Sequence, residues 1–373
     1  MLSKLLISLS LLILSSAAVA AEHNVNVKTR MQIISGDRVS SFNREPIDNL
    51  GAAFSDRIVF DNTFTGVVEA CIQKIGDDSK YKASVSHLFL RADVNNDWAM
   101  LAGRIRFSYG MYPEEDAIFS TTNVPVRPQS VYRPALEDVG HAAEGVQLRY
   151  GSDHVFVNVT HGMMVSRNPQ EFAGVFYAVP NIATFDIPRS KISALNIAYR
   201  SDMRFDIAFD TVYSDIAVVP NPANFLAGTQ HQTLTVNILS VKYYTDYDID
   251  FIAERMVTHS GGDTWKRYTD YTAKVKGEGW SIGAIKTADK WNLGWYVDRF
   301  DAAPDIYEIQ RVTGRDLKNL YSLSHSVYGT YKFSKTSYIN VQRIHRVGSA
   351  TESPVNSGSV ESTSTIFQWL NLF

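Results

Sequence analysis

Residues 360–373, VESTSTIFQWLNLF, decide how this chain reads. Counting back by twos from Phe373 picks out Asn371, Trp369, Phe367 and Thr365. That spacing is the period of a strand, not the 3.6-residue period of a helix. Residues 24–34, NVNVKTRMQII, repeat the pattern near the other end. Val25, Val27, Thr29, Met31 and Ile33 share one face; Asn26, Lys28, Arg30 and Gln32 share the other. A strand with one apolar and one polar face suits a sandwich core or a barrel wall.

The chain begins with an export signal. Lys4 is followed by an apolar run from Leu5 to Leu14, and the small residues Ala18, Val19, Ala20 and Ala21 fit a cleavage site. The run is too short to span a bilayer, and no other stretch approaches the length of about 18 apolar residues that a membrane helix needs. The expected organisation is residues 1–21 as signal peptide and residues 22–373 as one domain. If that domain lies in a membrane, it does so as a closed barrel, because only helices and closed barrels satisfy every backbone polar group there. The formal net charge of −3 moves to about −4 once Lys4 leaves with the signal, which excludes a basic nucleic-acid footprint. Aromatic residues make up 12%, a level that suits interfacial girdles. The single cysteine, Cys71, excludes an intrachain disulfide.

Sixteen segments carry the strand pattern: 24–34, 51–60, 64–75, 81–92, 98–108, 144–151, 154–164, 191–200, 203–213, 233–244, 247–257, 279–286, 290–300, 319–333, 337–346 and 360–373. Short turns such as Asp61-Asn62-Thr63, Ser152-Asp153 and Thr245-Asp246 join alternate pairs. The other connections, apart from 76–80, are long, and 265–276 is read as part of one of them. Short turns at one end and long loops at the other are the arrangement of an all-β transmembrane antiparallel up-and-down barrel. About sixteen strands enclose an aqueous lumen, whereas about eight are filled by side chains.

An open lumen needs a constriction. The longest connection, 109–143, is the expected one, folded into the pore after the fifth strand. It holds Glu114, Glu115 and Asp116, then Arg127 and Arg133. Arg104 and Arg106 share a face of the fifth strand and are expected to point into the lumen, with Lys28, Arg30 and Arg149. On the lipid face each would cost about 2–4 kcal/mol at mid-membrane. A basic wall across from an acidic loop would sort ions by sign.

Residues 103–112, GRIRFSYGMY, followed by 126–132, VRPQSVY, resemble a segment shared by many Gram-negative porin-like proteins. There a G-R-x-R strand leads into P-x-G-x-Y and then R-P-P-x-x-V-Y. Here Ser108 and Gln129 stand where that pattern has proline. Those proteins are similar to the general diffusion porins and, more distantly, to the phosphate-selective porins. The terminal strand also resembles the closing strand of outer-membrane barrels, whose final Phe, here Phe373, marks the chain for the insertion machinery. The resemblance implies an outer-membrane homotrimer embedded in lipid and lipopolysaccharide, passing small hydrophilic solutes. It implies no phosphate site.

No phosphate-loop, nucleophile-elbow or zinc-helix motif appears, so no cofactor, metal or enzymatic activity is expected. Asp93-Val94-Asn95-Asn96-Asp97 lacks the glycine and distal glutamate of a calcium loop and reads as a turn. Two alternatives stand beside the channel. One is a surface-interaction barrel using loops 165–190 and 214–232. The other is a hydrolase around His161, which requires a nucleophile beside that histidine in space.

Overall fold

The computed structural model describes residues 21–36, 49–75, 82–107, 110, 128, 131, 142–165, 185–186, 190–201, 204–220, 230–264, 271–305, 320–334, 336–349 and 359–372. The strands are β1 (Glu22–Gly36), β2 (Asn49–Val59), β3 (Phe64–Ile75), β4 (Lys82–Asp93), β5 (Trp98–Arg106) and β6 (Ala142–Gly151). They continue as β7 (Val155–Val165), β8 (Phe185–Asp186), β9 (Lys191–Arg200), β10 (Phe205–Pro220), β11 (Gln230–Tyr244) and β12 (Ile249–Thr264). The last are β13 (Tyr271–Thr287), β14 (Trp291–Asp305), β15 (Leu320–Lys332), β16 (Ser337–Ser349) and β17 (Ser359–Leu372).

β8 is a two-residue clip on the end of β10, pairing Asp186 with Val219 and Phe185 with Pro220. The other sixteen strands each pair antiparallel with their neighbours in chain order. β17 closes the sheet on β1, from Lys28 opposite Leu372 to Gly36 opposite Ser364. Closure leaves no edge strand, so the ladder satisfies the backbone of every spanning segment without water.

The terminal stretch behaves as its period requires. Phe367 and Trp369 are 48% and 46% exposed on the outer wall, while Ile366 and Leu370 are fully buried inside. The same alternation places Met31, Leu90, Met100, Val146, Val159, Leu239 and Val327 outside. At the short-turn end the outer wall carries aromatic contacts, Trp98 with Tyr150 at 4.9 Å and Trp291 with Tyr331 at 4.4 Å between ring centroids. Amphipathic rings at that level suit a membrane boundary.

Local irregularities set the β3–β7 wall. A bulge between Glu69 and Ala70 shifts the register against β4, so Glu69 opposes His87 and Ala70 opposes Val85. Gly145 and Gly162 face each other across β6 and β7. A Cβ on Gly145 would stand 2.5 Å from the Gly162 Cα, so this close approach admits only glycine.

Four strands run well beyond the bounds the sequence pattern suggests. Residues 214–220 continue β10, 258–264 continue β12, 271–278 continue β13, and 301–305 continue β14. The segment read as loop, 265–276, is therefore half strand, with Thr264 paired to Tyr271 at the top of the β12–β13 hairpin. These extensions lie at the long-loop end, above the apolar band. There the lipid no longer imposes one greasy face, so the period-two signal fades.

Candidate permeation site

The strand ends nearest the short turns enclose a cavity of about 1780 Å³. It is bounded by β1 to β7 and β9 to β11 and by the turns at residues 95–97 and 151–153. On the inner face of the remaining strands, Met256, Tyr296, Tyr328 and Ile366 are at most 2% exposed. Gln342 donates to Tyr296 at 3.1 Å and to Ser326 at 2.7 Å, and Asn340 donates to Gln368 at 2.7 Å. Among the described residues, the charged cavity thus lies against β1 to β7 and β9 to β11.

Charge lines the open side. Lys28, Arg106 and Arg149 border the cavity, as the strand parity of the first and sixth strands predicts for Lys28 and Arg149. So do Arg57, Arg91, Arg200 and Lys242, which the sequence reading did not single out. Some of these cations are matched by a carboxylate: Arg91 meets Asp93 at 2.6 Å and Lys242 meets Asp250 at 3.0 Å. Glu69 faces His87 at 3.7 Å, and Asp206 accepts the Tyr244 hydroxyl at 2.7 Å. Arg200 lies over the Phe156 ring at 4.6 Å, and Arg149 donates to Gln147.

Arg104 departs from expectation. It sits in register with Leu88 on β4 and Glu144 on β6, in the outward row that holds Met100, Leu90 and Val146. Its guanidinium pairs with Glu144, with Nε at 3.1 Å from Oε1, and donates to the Val85 carbonyl at 2.8 Å. The inner positions of β5 belong to Ala99, Leu101 and Ile105, all nearly fully buried. A charged side chain need not face the lumen to find polar partners. A neighbouring carboxylate and a carbonyl give this arginine polar partners on the outer wall instead. Arg30 lies opposite Gly51 and Leu370 in the ladder, and its side chain is outside the described residues. Glu114, Glu115, Asp116, Arg127, Arg133 and Phe373 also fall outside the described residues.

The chain leaving β5 turns inward. Phe107 is 3% exposed and borders a small cleft with Gln147, Asn158, Asn196, Asp210 and Val212, on the inner face of β6, β7, β9 and β10. The Gly110 amide donates to Asp210 Oδ2 at 2.8 Å. Asp210 is 2% exposed and also accepts from Asn196 Nδ2 at 2.5 Å. Asn196 in turn accepts from Asn158 Nδ2 at 3.1 Å. A side-chain chain across three strands thus holds a backbone amide one hundred residues earlier in sequence. Gly110 has φ +73°, a conformation that glycine adopts without strain.

The remaining motifs resolve simply. Asn95 Oδ1 accepts from the Asp97 and Trp98 amides at 2.9 Å, a side-chain-capped turn. No cluster of metal-ligating side chains occurs among the described residues. His161 Nδ1 lies 2.8 Å from Ser193 Oγ, so a hydroxyl does stand beside it. Both residues lie on the outward wall, and neither borders the cavity. Among the described residues no carboxylate pairs with His161.

An antiparallel barrel of this strand number, with an apolar outer wall and a charged interior cavity, is a transmembrane barrel of porin architecture. Solved structures bear this out at the level of fold. A loop L8 deletion mutant of OmpT, an outer membrane protein of Vibrio cholerae, matches at TM-score 0.62 and 10% identity over 95% of this chain and 100% of its own. The anion-selective porin from Comamonas acidovorans matches at TM-score 0.60 and 9% identity over 95% and 100%. OmpF of Salmonella typhi, in complex with daunomycin, matches at TM-score 0.56 and 12% identity over 95% and 98%. No family model and no curated protein matches the sequence.

Proposed function

We propose that this chain is an outer-membrane porin, a passive channel for small hydrophilic solutes and ions, assembled as a homotrimer and devoid of catalytic activity. The observation that carries this reading is the charged, 1780 Å³ cavity inside a membrane-spanning barrel. A wall that only anchored surface loops would need no charged interior. The solved neighbours support the reading: one is an anion-selective porin, another is the outer membrane channel DcaP of Acinetobacter baumannii, and one OmpT of Vibrio cholerae is in a trimer form. The short-turn end is assigned to the periplasm, and the leader at residues 1–21 supplies export.

The segment after β5 is the proposed constriction. Phe107 and Gly110 enter the lumen, and the Asp210–Asn196 pair holds the entry point. The loop at residues 109–143 would then narrow the pore with Glu114, Glu115 and Asp116, facing Arg106, Arg149 and Lys28, while Arg127 and Arg133 flank them. Liposome swelling tests the proposal. Vesicles carrying the folded protein should swell in isosmotic monosaccharide, and more slowly as the sugar grows. Vesicles that hold folded protein and do not swell in any sugar would reject it.

A further inference from the structure

Arg57 and Arg91 lie two residues before the lower ends of β2 and β4, at Val59 and Asp93. Arg149 and Lys242 lie two residues before the ends of β6 and β11, at Gly151 and Tyr244, and Arg200 ends β9. These are five successive descending strands. Each of the five side chains borders the same cavity. The cations therefore stand at nearly one height, one on every second strand, around the open side of the mouth. Alternate strands are about 10 Å apart.

We propose that this arc is a recognition site for small oxyanions, carboxylates or phosphates, at the periplasmic mouth. The proposal rests on reading the barrel as a channel and adds the solute class. Neutralisation is incomplete. Asp93 and Asp250 take up Arg91 and Lys242, whereas Arg57, Arg149 and Arg200 have no carboxylate partner among the described residues. The other acids of the same cavity are Asp56, which meets His23 at 2.8 Å, Glu69 beside His87, Asp206, which accepts from Tyr244 and lies in register with Arg200 and Lys242, and Asp97 and Asp153 on the turns, so among the described residues cations outnumber carboxylates there by one. Guanidinium groups offer paired N–H donors that match the two oxygens of a carboxylate or phosphate. The spacing is close to the Debye length of about 10 Å at 0.1 M salt, so the fields of neighbouring arginines overlap there and separate at about 1 M, where screening shortens to about 3 Å.

The test is the reversal potential of the full-length mature protein in planar bilayers under a KCl gradient, with Arg57→Gln, Arg149→Gln and Arg200→Gln singly and combined. Glutamine keeps a polar side chain in place, and heat-modifiable migration confirms folding. The wild type should prefer chloride. The triple variant should lower the chloride-to-potassium permeability ratio about threefold near 0.1 M salt, with the difference vanishing near 1 M. Inorganic phosphate on the short-turn side should reduce chloride current through the wild type and leave the triple variant unaffected. A conducting wild type that prefers potassium, or a folded triple variant with an unchanged ratio at low salt, would overturn the arc. If the folded wild type does not conduct, the channel reading fails instead. Calorimetric titration of phosphate into the detergent-solubilised protein then decides the arc: binding lost in the triple variant supports it, and no binding overturns it.

Discussion

Asp210→Ala removes the acceptor that holds the chain after β5 inside the barrel. The carboxylate receives the Gly110 amide at 2.8 Å and the Asn196 amide at 2.5 Å in a site that is 2% exposed. Hydrogen bonds to a charged, buried acceptor contribute about 1.5–3 kcal/mol each. Losing the Gly110 bond alone, at about 2 kcal/mol, lowers the latched population relative to the unlatched one by about thirtyfold. The segment should then sample positions away from β10. Single-channel recordings should show larger mean conductance and more open-channel noise than the wild type. Asp210→Asn is the control. It removes the same negative charge and keeps an oxygen that accepts from the Gly110 amide, so its conductance should stay near that of the wild type. A folded Asp210→Ala protein with wild-type conductance and noise would refute the latch. Equal changes in Ala and Asn would assign the effect to charge.

Other outcomes follow from single positions. Arg104→Gln should leave ion selectivity unchanged, because the side chain stands on the outer wall with Glu144; a shifted reversal potential would return it to the lumen. Gly162→Val should block folding or lower thermal stability by several kcal/mol, since even a Cβ there would lie 2.8 Å from the Gly145 Cα; melting followed by loss of heat-modifiable migration reads this out. Cys71, 3% exposed beside Ala53, Tyr338 and Leu370, should resist maleimide in the folded protein and react fully after denaturation. His161→Ala should change no ester-hydrolysis rate; a loss measured on detergent-dispersed phospholipid would revive a catalytic reading of its contact with Ser193.

The membrane band was legible because lipid on one side and polar groups on the other force strict alternation. Residues 28–36 and 364–372 pair across the closure in the register their periods demand. The tall ends of β10, β12, β13 and β14 were not legible, because they lie at the long-loop end, beyond the apolar band that forces the alternation. Charge alone misassigned Arg104, since no parity rule reveals that β6 supplies Glu144 in the same outward row. The basic arc left a trace in the sequence that a strand-by-strand reading passes over. A basic residue precedes an acidic residue at or just past the strand end at Arg91-Ala92-Asp93, Arg200-Ser201-Asp202 and Lys242 before Asp246. Asp210 left no local trace, because its partner lies one hundred residues away and is a backbone amide.

Whether this barrel conducts is decided by single-channel current through the purified protein in a planar bilayer. Discrete, long-lived steps should appear whose size rises nearly in proportion to KCl concentration, as expected for a water-filled passage. A bilayer that stays electrically silent while the protein in it is folded and inserted would exclude a channel.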